Sequence, residues 1–231
     1  MINLKQQWAT ILDAFSADGC GMCDRPTASM LCSHCQTQLQ TCALADPTQF
    51  WQDALPLFAW GRYVGALRRA IAALKYENQP QLARFLGAWM GQQWLASPMA
   101  QRSGRSLIVV PVAANAAKKK RRGYDQAELL AASFCQYTRL PLDLHRVIRT
   151  EDTVPMFGLS LAERQQNVKG KFQLHPRFRP SGKQAKPSIL LLDDIYTTGS
   201  TLNAIAQLCR QHQMSVYGAI TLAKAGLSDP T

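Results

Sequence analysis

Apolar positions recur along this chain in two rhythms. From Val64 to Tyr76 they fall at helical spacing through Leu67, Ile71 and Leu74, the pattern of a helix that buries one stripe. Ile2 to Phe15, Gln81 to Leu95 (stopping before Pro98), Gln126 to Tyr137 and Thr201 to His212 read as further helices. Between them lie short apolar runs of strand length: Ala54 to Trp60, Leu107 to Val110, Leu144 to Ile148, Ile189 to Leu192 and Val216 to Leu222. Strands separated by helices predict an α/β fold, a mostly parallel twisted sheet flanked by crossover helices. Two polar or irregular stretches, Val112 to Arg122 and Arg149 to Leu159, follow predicted strands and are natural places for ligand loops.

A chain of 231 residues with 47% hydrophobic content can bury one ordinary core with a small appendage. The linker at Asp46 and Pro47 sets the expected division: residues 1–46 form a helix and a cysteine knuckle, and residues 47–231 the main domain. Ile2 to Phe15 carries Lys5 and Asp13 and lacks the apolar run and cleavage site of a targeting signal. No segment approaches the roughly 18 apolar residues of a membrane span, so no span is expected and the expected location is cytoplasmic. The net charge of +11 is uneven, with −3 over residues 1–60 and +14 over the remainder. A basic body of this kind favours a polyanionic partner, either nucleic acid or a phosphorylated small molecule.

Seven cysteines are present, and Cys20-x-x-Cys23 and Cys32-x-x-Cys35 form two close pairs eight residues apart. Two thiolate pairs at this spacing suit a tetrahedral structural Zn²⁺ site whose metal would supply the folding energy of a segment too small for its own core. Closed four-thiolate coordination leaves no position for a substrate. His34 and Cys42 lie near enough to compete as ligands, whereas Cys135 and Cys209 fall within predicted helices as buried small hydrophobes.

The strongest motif runs Ile189-Leu-Leu-Leu-Asp193-Asp194-Ile-Tyr-Thr197-Thr198-Gly199-Ser200-Thr201. A strand ending in two carboxylates opens onto the crevice where open α/β sheets bind ligands. The turn and the first N–H groups of the following helix form an anion cradle suited to phosphate. Gly199 permits close approach, and Thr197, Thr198, Ser200 and Thr201 add hydroxyl donors. Carboxylates do not serve a phosphate; they accept from a vicinal diol and favour a divalent cation nearby. The implied ligand is a ribose 5-phosphate.

At these thirteen positions the chain resembles the phosphoribosyltransferase superfamily. Over roughly Cys20 to Leu222 it looks like the ComF family, which joins an amino-terminal zinc knuckle to a phosphoribosyltransferase domain. The resemblance implies a type I phosphoribosyltransferase fold, phosphoribosyl pyrophosphate with Mg²⁺ as ligand, Asp193 and Asp194 as the catalytic pair, and a role in DNA uptake during natural transformation (competence). It also implies partners among single-stranded DNA and DNA-uptake proteins such as a ComF helicase. An active transferase of nucleobase metabolism is the alternative, and no base-specificity segment is recognisable to name its acceptor.

Two further segments match less closely. Lys118 to Gln126 places five cations before Gly123 and a helix start, where pyrophosphate or a nucleic-acid backbone could be held. It resembles the family's pyrophosphate loop, with Lys120, Arg121, Arg122 and Gly123 as binding candidates, and Asp125 stands where the usual residue is Asn. Arg149 to Val168, with Gly158, Leu159 and Ser160 and then Arg164, Asn167 and Lys169, resembles the family's mobile loop and the helix after it, with Met156 where relatives often have Gln; Arg164 is read equally as a surface charge and as a ligand contact. Lys75 ends a predicted helix and is read first as a partner of that helix's C-terminal dipole, although it also matches a family position toward the ligand. Few aromatics interleave with the cations, and Phe85, Trp89 and Trp94 sit at helical spacing as expected core.

Overall fold

The computed structural model describes residues 19–103, 106–114, 116–150, 170–178 and 187–228, the Lys118 side chain excepted. The opening helix expected over Ile2 to Phe15, and the segment holding Met156, Gly158, Ser160, Arg164, Asn167 and Lys169, lie outside the described residues.

Four strands make one parallel sheet: β1 (Leu57–Arg62), β2 (Leu107–Pro111), β5 (Ser188–Tyr196) and β6 (Val216–Lys224), in the order β1-β6-β5-β2. Its helices are α1 (Ser33–Gln40), α2 (Gly65–Tyr76), α3 (Leu82–Ala96), α4 (Pro98–Arg102), α5 (Ala116–Arg122), α6 (Gln126–Thr138) and α7 (Ser200–Gln211). Side chains alternate along β5, so Leu190 and Leu192 enter a core shared with α2, α3 and α6, while Ile189 and Leu191 enter a second core with α7. Burial on both faces explains why β5 reads as an unbroken apolar run. This is the expected α/β class: a mostly parallel sheet flanked by helices, with a cysteine knuckle beside it.

Three expectations need correction. Leu144 to Ile148 is not a strand of the main sheet. Asp143 accepts from His145 N (3.0 Å) and from Arg146 Nε (3.0 Å), folding that segment into a turn. Only Val147–Arg149 is extended, as β3, and it pairs antiparallel with β4 (Phe172–Leu174), which the periodicity missed because three residues carry too little pattern. The basic run is not a loop: Lys118 to Arg122 lies within α5. Alanine, lysine and arginine are strong helix formers, and Lys119 pairs with Glu128 of α6 at 2.7 Å, offsetting the like-charge crowding. The first strand begins at Leu57 instead of Ala54, since residues 51–55 turn before Phe50 bridges to Leu57.

The aromatic expectations hold. Trp94 is 1% exposed and meets Phe58 edge to face, Trp89 stacks on Trp60 at 5.8 Å, and Phe85 packs against the same core. Cys135 and Cys209 are buried, and burial pushes their thiols up to about 12 and about 11. Helices α3 and α6 touch closely because Gly87 has no side chain; a Cβ there would meet Leu130 O at 2.6 Å and Ser133 Cβ at 2.7 Å. Gly87→Val is therefore expected to destabilise the protein by about 2–3 kcal/mol through overpacking, read as a lower urea midpoint with unchanged slope.

Candidate functional site

The site grows from the carboxyl end of β5. Burial along the strand is complete through Leu192 and then breaks: Asp193 is half-buried and Asp194 is 5% exposed. The chain turns through Thr197 and Thr198 to Gly199, whose φ of 73° makes it the left-handed N-cap of α7. A Cβ there would strike the Tyr196 ring, so both the dihedral and the space select glycine. Thr198 Oγ1 and Ser200 Oγ lie 2.8 Å apart, and Asn203 Nδ2 donates to Gly199 O at 3.0 Å, which holds the turn against the helix. Together Asp193, Thr197, Thr198, Gly199, Ser200 and Thr201 line a small cavity open to solvent. A helix N-terminus and hydroxyls on one wall with a carboxylate on another suit an anion joined to a polyol.

The two aspartates face different partners. Asp194 Oδ2 pairs with Lys75 Nζ at 2.7 Å, the two side chains being 7% and 16% exposed. Asp193 Oδ1 accepts from Asp194 N at 2.8 Å. Burial, with the Asp194 charge second, holds the Asp193 carboxyl well above the usual carboxylate range. Burial alone would lower the Lys75 ammonium; the charge and hydrogen bond of Asp194 outweigh it and leave it raised. The sign follows: the pair's stabilisation is present below the ordinary lysine range and is lost as pH rises through the raised value. Lys75 thus has a carboxylate partner in the site, which a helix-dipole role does not describe. The signal was available, since Lys75 falls four residues after buried Ile71, a charge on an apolar stripe that requires a partner.

The basic candidates lie outside that cavity. Lys120 and Arg121 are exposed on α5, and Gly123, at φ 80°, follows the end of that helix. Arg122 donates to Gln126 Oε1 at 2.5 Å and its guanidinium lies 5.2 Å from the Tyr76 ring centre. Tyr124 Oη donates to Leu74 O at 2.7 Å, tying this region to the end of α2 beside Lys75. Asp125, to which sequence reasoning gave no role, is 1% exposed and caps α6: it accepts from Ala127 N and Glu128 N, and from Ala114 N at 2.8 Å. Asp125→Ala is expected to cost about 2–3 kcal/mol, the sum of a lost cap and an orphaned buried N–H. Equilibrium urea unfolding checks this.

In the knuckle, Cys20, Cys23, Cys32 and Cys35 bring their sulfurs within 4.8 Å of one another, and Cys23 Sγ lies 3.7 Å from Cys32 Sγ. That separation excludes a disulfide, whose S–S length is about 2.05 Å, and matches the about 3.8 Å edge of a tetrahedron with Zn–S bonds of about 2.3 Å. Burial works against ionising Cys20, but the N–H groups of Cys32, Met22 and Cys23 bring its thiol to about 7. Burial and the neighbouring sulfurs push Cys35 far up. Four thiolates here require a cation, and the donor set fits structural zinc. Cys42 is buried elsewhere, its Sγ 3.5 Å from Gln38 O, and His34 is exposed, so neither joins the four. Because Cys20, Leu31, Cys35 and Leu39 share the core of α2 and α3, Cys35→Ser is expected to abolish stoichiometric zinc in elemental analysis and to lower Tm of the whole chain.

No protein-family model matches the chain. It is 30% identical over 215 residues to Competence protein F of Haemophilus influenzae, spanning 86% of this chain and 88% of that protein. It is 28% identical over 194 residues to DNA utilization protein YhgH of Salmonella typhimurium, spanning 82% and 76%. Solved structures that align with it include the glutamine phosphoribosylpyrophosphate amidotransferase of B. subtilis (17% identity, 62% of this chain and 26% of that one, TM-score 0.36). An adenine phosphoribosyltransferase of Leishmania donovani aligns at 12% identity over 70% of this chain and 75% of that one, with a TM-score of 0.37. No helix among the described residues is long and apolar enough to cross a membrane. With nearly the full length of Competence protein F aligned at 30% identity, the chain belongs to the ComF family.

Proposed function

We propose that this chain acts in DNA uptake during natural transformation, and that its main domain, residues 47–231, is a type I phosphoribosyltransferase fold holding phosphoribosyl pyrophosphate. The observation that carries the ligand assignment is the cavity formed by Asp193, the Thr197–Thr201 turn and the amino end of α7. A 5-phosphate takes the turn's N–H groups and hydroxyls, while the ribose hydroxyls donate to the carboxylate. Pyrophosphate extends toward Lys120, Arg121, Arg122 and Gly123 at the end of α5, accompanied by Mg²⁺, which supplies charge neutralisation when bound. The DNA-uptake role is supported by the names of the relatives, Competence protein F and DNA utilization protein YhgH, and by the +14 charge of residues 61–231, which favours polyanions such as single-stranded DNA. The knuckle of residues 1–46 holds a structural zinc and serves, with that basic surface, as the contact for DNA-uptake proteins.

Calorimetric titration of phosphoribosyl pyrophosphate with Mg²⁺ tests the ligand. Wild type is expected to bind, and Asp193→Asn to weaken binding at least about tenfold while keeping its Tm. A folded wild type that gives no heat and no Tm increase with the ligand sinks the assignment. Deleting the gene in a transformable host is expected to lower transformants per recipient cell, with rescue by wild type; undiminished transformation removes the uptake role.

A further inference from the structure

Few aromatics interleave with cations along the chain, but folding sets one among guanidiniums on the α7 side of the sheet. The β3–β4 pair packs its Val147, Phe172 and Leu174 into the core of α7. A single 3₁₀ turn, Pro176–Phe178, follows β4. The Phe178 ring centre lies 4.6 Å from the Arg146 guanidinium and 4.5 Å from that of Arg177, with the His175 ring edge-on at 6.0 Å. Arg146 also approaches Met214 Sδ at 3.9 Å, just before β6. Arg210, exposed in the last turn of α7, belongs to the same corner: burial raises the Cys209 thiol, and the charges of Arg146 and Arg210 both oppose that rise. Residues 139–150, 171–178 and 208–216 together hold six Lys or Arg against one carboxylate, Asp143, which is already paired with Arg146. Like charges gathered this densely repel one another and recruit an anion. We propose that this corner, Phe178 with Arg146, Arg177 and Arg210, is a docking surface for the backbone of single-stranded nucleic acid, separate from the ribose-phosphate cavity.

This rests on the DNA-uptake reading and gives the strand a place on the molecule. Helix α7 separates the two sites: its amino end borders the cavity and its carboxyl end carries Arg210. Its 12 residues span about 18 Å at about 1.5 Å each, too far for one phosphate to serve both ends. Guanidiniums present forked donors to phosphate oxygens, and a ring that already holds two of them lowers the cost of ordering those side chains on binding. Phe178 is half-buried and Ile148, on the outer side of β3, is 37% exposed, which leaves apolar surface for base faces. A duplex keeps those faces stacked, whereas a single strand offers them. A clamp that only braced the 3₁₀ turn would need Arg146 with Asp143. Arg177 and Arg210 are exposed, so removing their charges separates a binding role from a structural one.

The test titrates the full chain into a fluorescein-labelled deoxythymidine oligomer of about 20 nucleotides and follows anisotropy from about 50 to about 200 mM NaCl. The double variant Arg177→Gln, Arg210→Gln is expected to lose at least about tenfold in affinity at about 100 mM NaCl. Its slope of log K against log[NaCl] is expected to fall by about 1.4, two phosphate contacts at about 0.7 each. Its urea midpoint is expected to stay at the wild-type value. Arg68→Gln, Arg102→Gln removes the same charge from exposed positions on α2 and α4, which pack on the other face of the sheet, and is expected to bind within about threefold of wild type. Saturating phosphoribosyl pyrophosphate with Mg²⁺ is expected to leave the oligomer bound. Equal losses in the two double variants overturn the proposal, because overall charge alone would then hold the strand. Displacement by phosphoribosyl pyrophosphate overturns it as well, as does equal affinity for a duplex of the same length or equal competition by polyglutamate. If the Arg177, Arg210 variant does not fold, Arg210→Glu alone carries the same comparison, and wild-type affinity in it overturns the proposal. A wild type that leaves the oligomer free also overturns it, whereas the uptake role is judged separately by the gene deletion and the ribose-phosphate site by calorimetry.

Discussion

Strand β5 is buried from both sides, and the polar character of the site follows from where that burial stops. Ile189 to Leu192 are sealed between two cores, so their backbone groups are satisfied by β2 and β6 and their side chains by apolar neighbours. Carboxylates placed one residue beyond cannot stay charged in that environment unless each finds a partner. Asp194 finds Lys75, and Asp193 finds a backbone N–H and the open cavity. The strand's rigidity thereby passes to the first polar residues after it.

The same end of the sheet concentrates the turn and the helix start. Gly199 brings the chain around sharply enough for α7 to begin directly after the strand, and the hydroxyls of Thr198 and Ser200 bond each other across the turn. Around this sit Asp125, buried as the cap of α6, and Tyr124, reaching across to α2. These contacts join α2, α6 and β5, so the cavity is framed by elements far apart in sequence. The cysteine knuckle is packed into the same core through Cys20, Leu31, Cys35 and Leu39. The geometry of the four-cysteine cluster and the stability of the main body are therefore physically linked.

Much of this was legible in the residues themselves. The helices α2, α3, α6 and α7 carry strong amphipathic patterns or clear stops, and β5 with its acidic pair and hydroxyl turn is a local motif whose parts lie within thirteen positions. The four clustered cysteines were readable for the same reason, since both pairs are two-residue-gap motifs. What misled was the assumption that polar runs are loops: Lys118 to Arg122 is helical because propensity favours it, and Lys119 and Arg122 find partners in α6.

The sequence by itself determined most of the element types, the clustering of four cysteines and the strand-turn-helix that follows β5's acidic pair, because each depends on neighbours a few residues away. Tertiary structure alone decided which residues separated by a hundred positions meet. Lys75 and Asp194 are 119 apart in the chain, and no local pattern pairs them; they meet because α2 and one face of β5 contribute to the same core. The antiparallel pairing of β3 with β4, too short to show a period, and the buried role of Asp125, set by Ala114 as much as by its own helix, were likewise fixed by packing. Periodicity reports which face a residue occupies, and only the assembled sheet determines what that face touches.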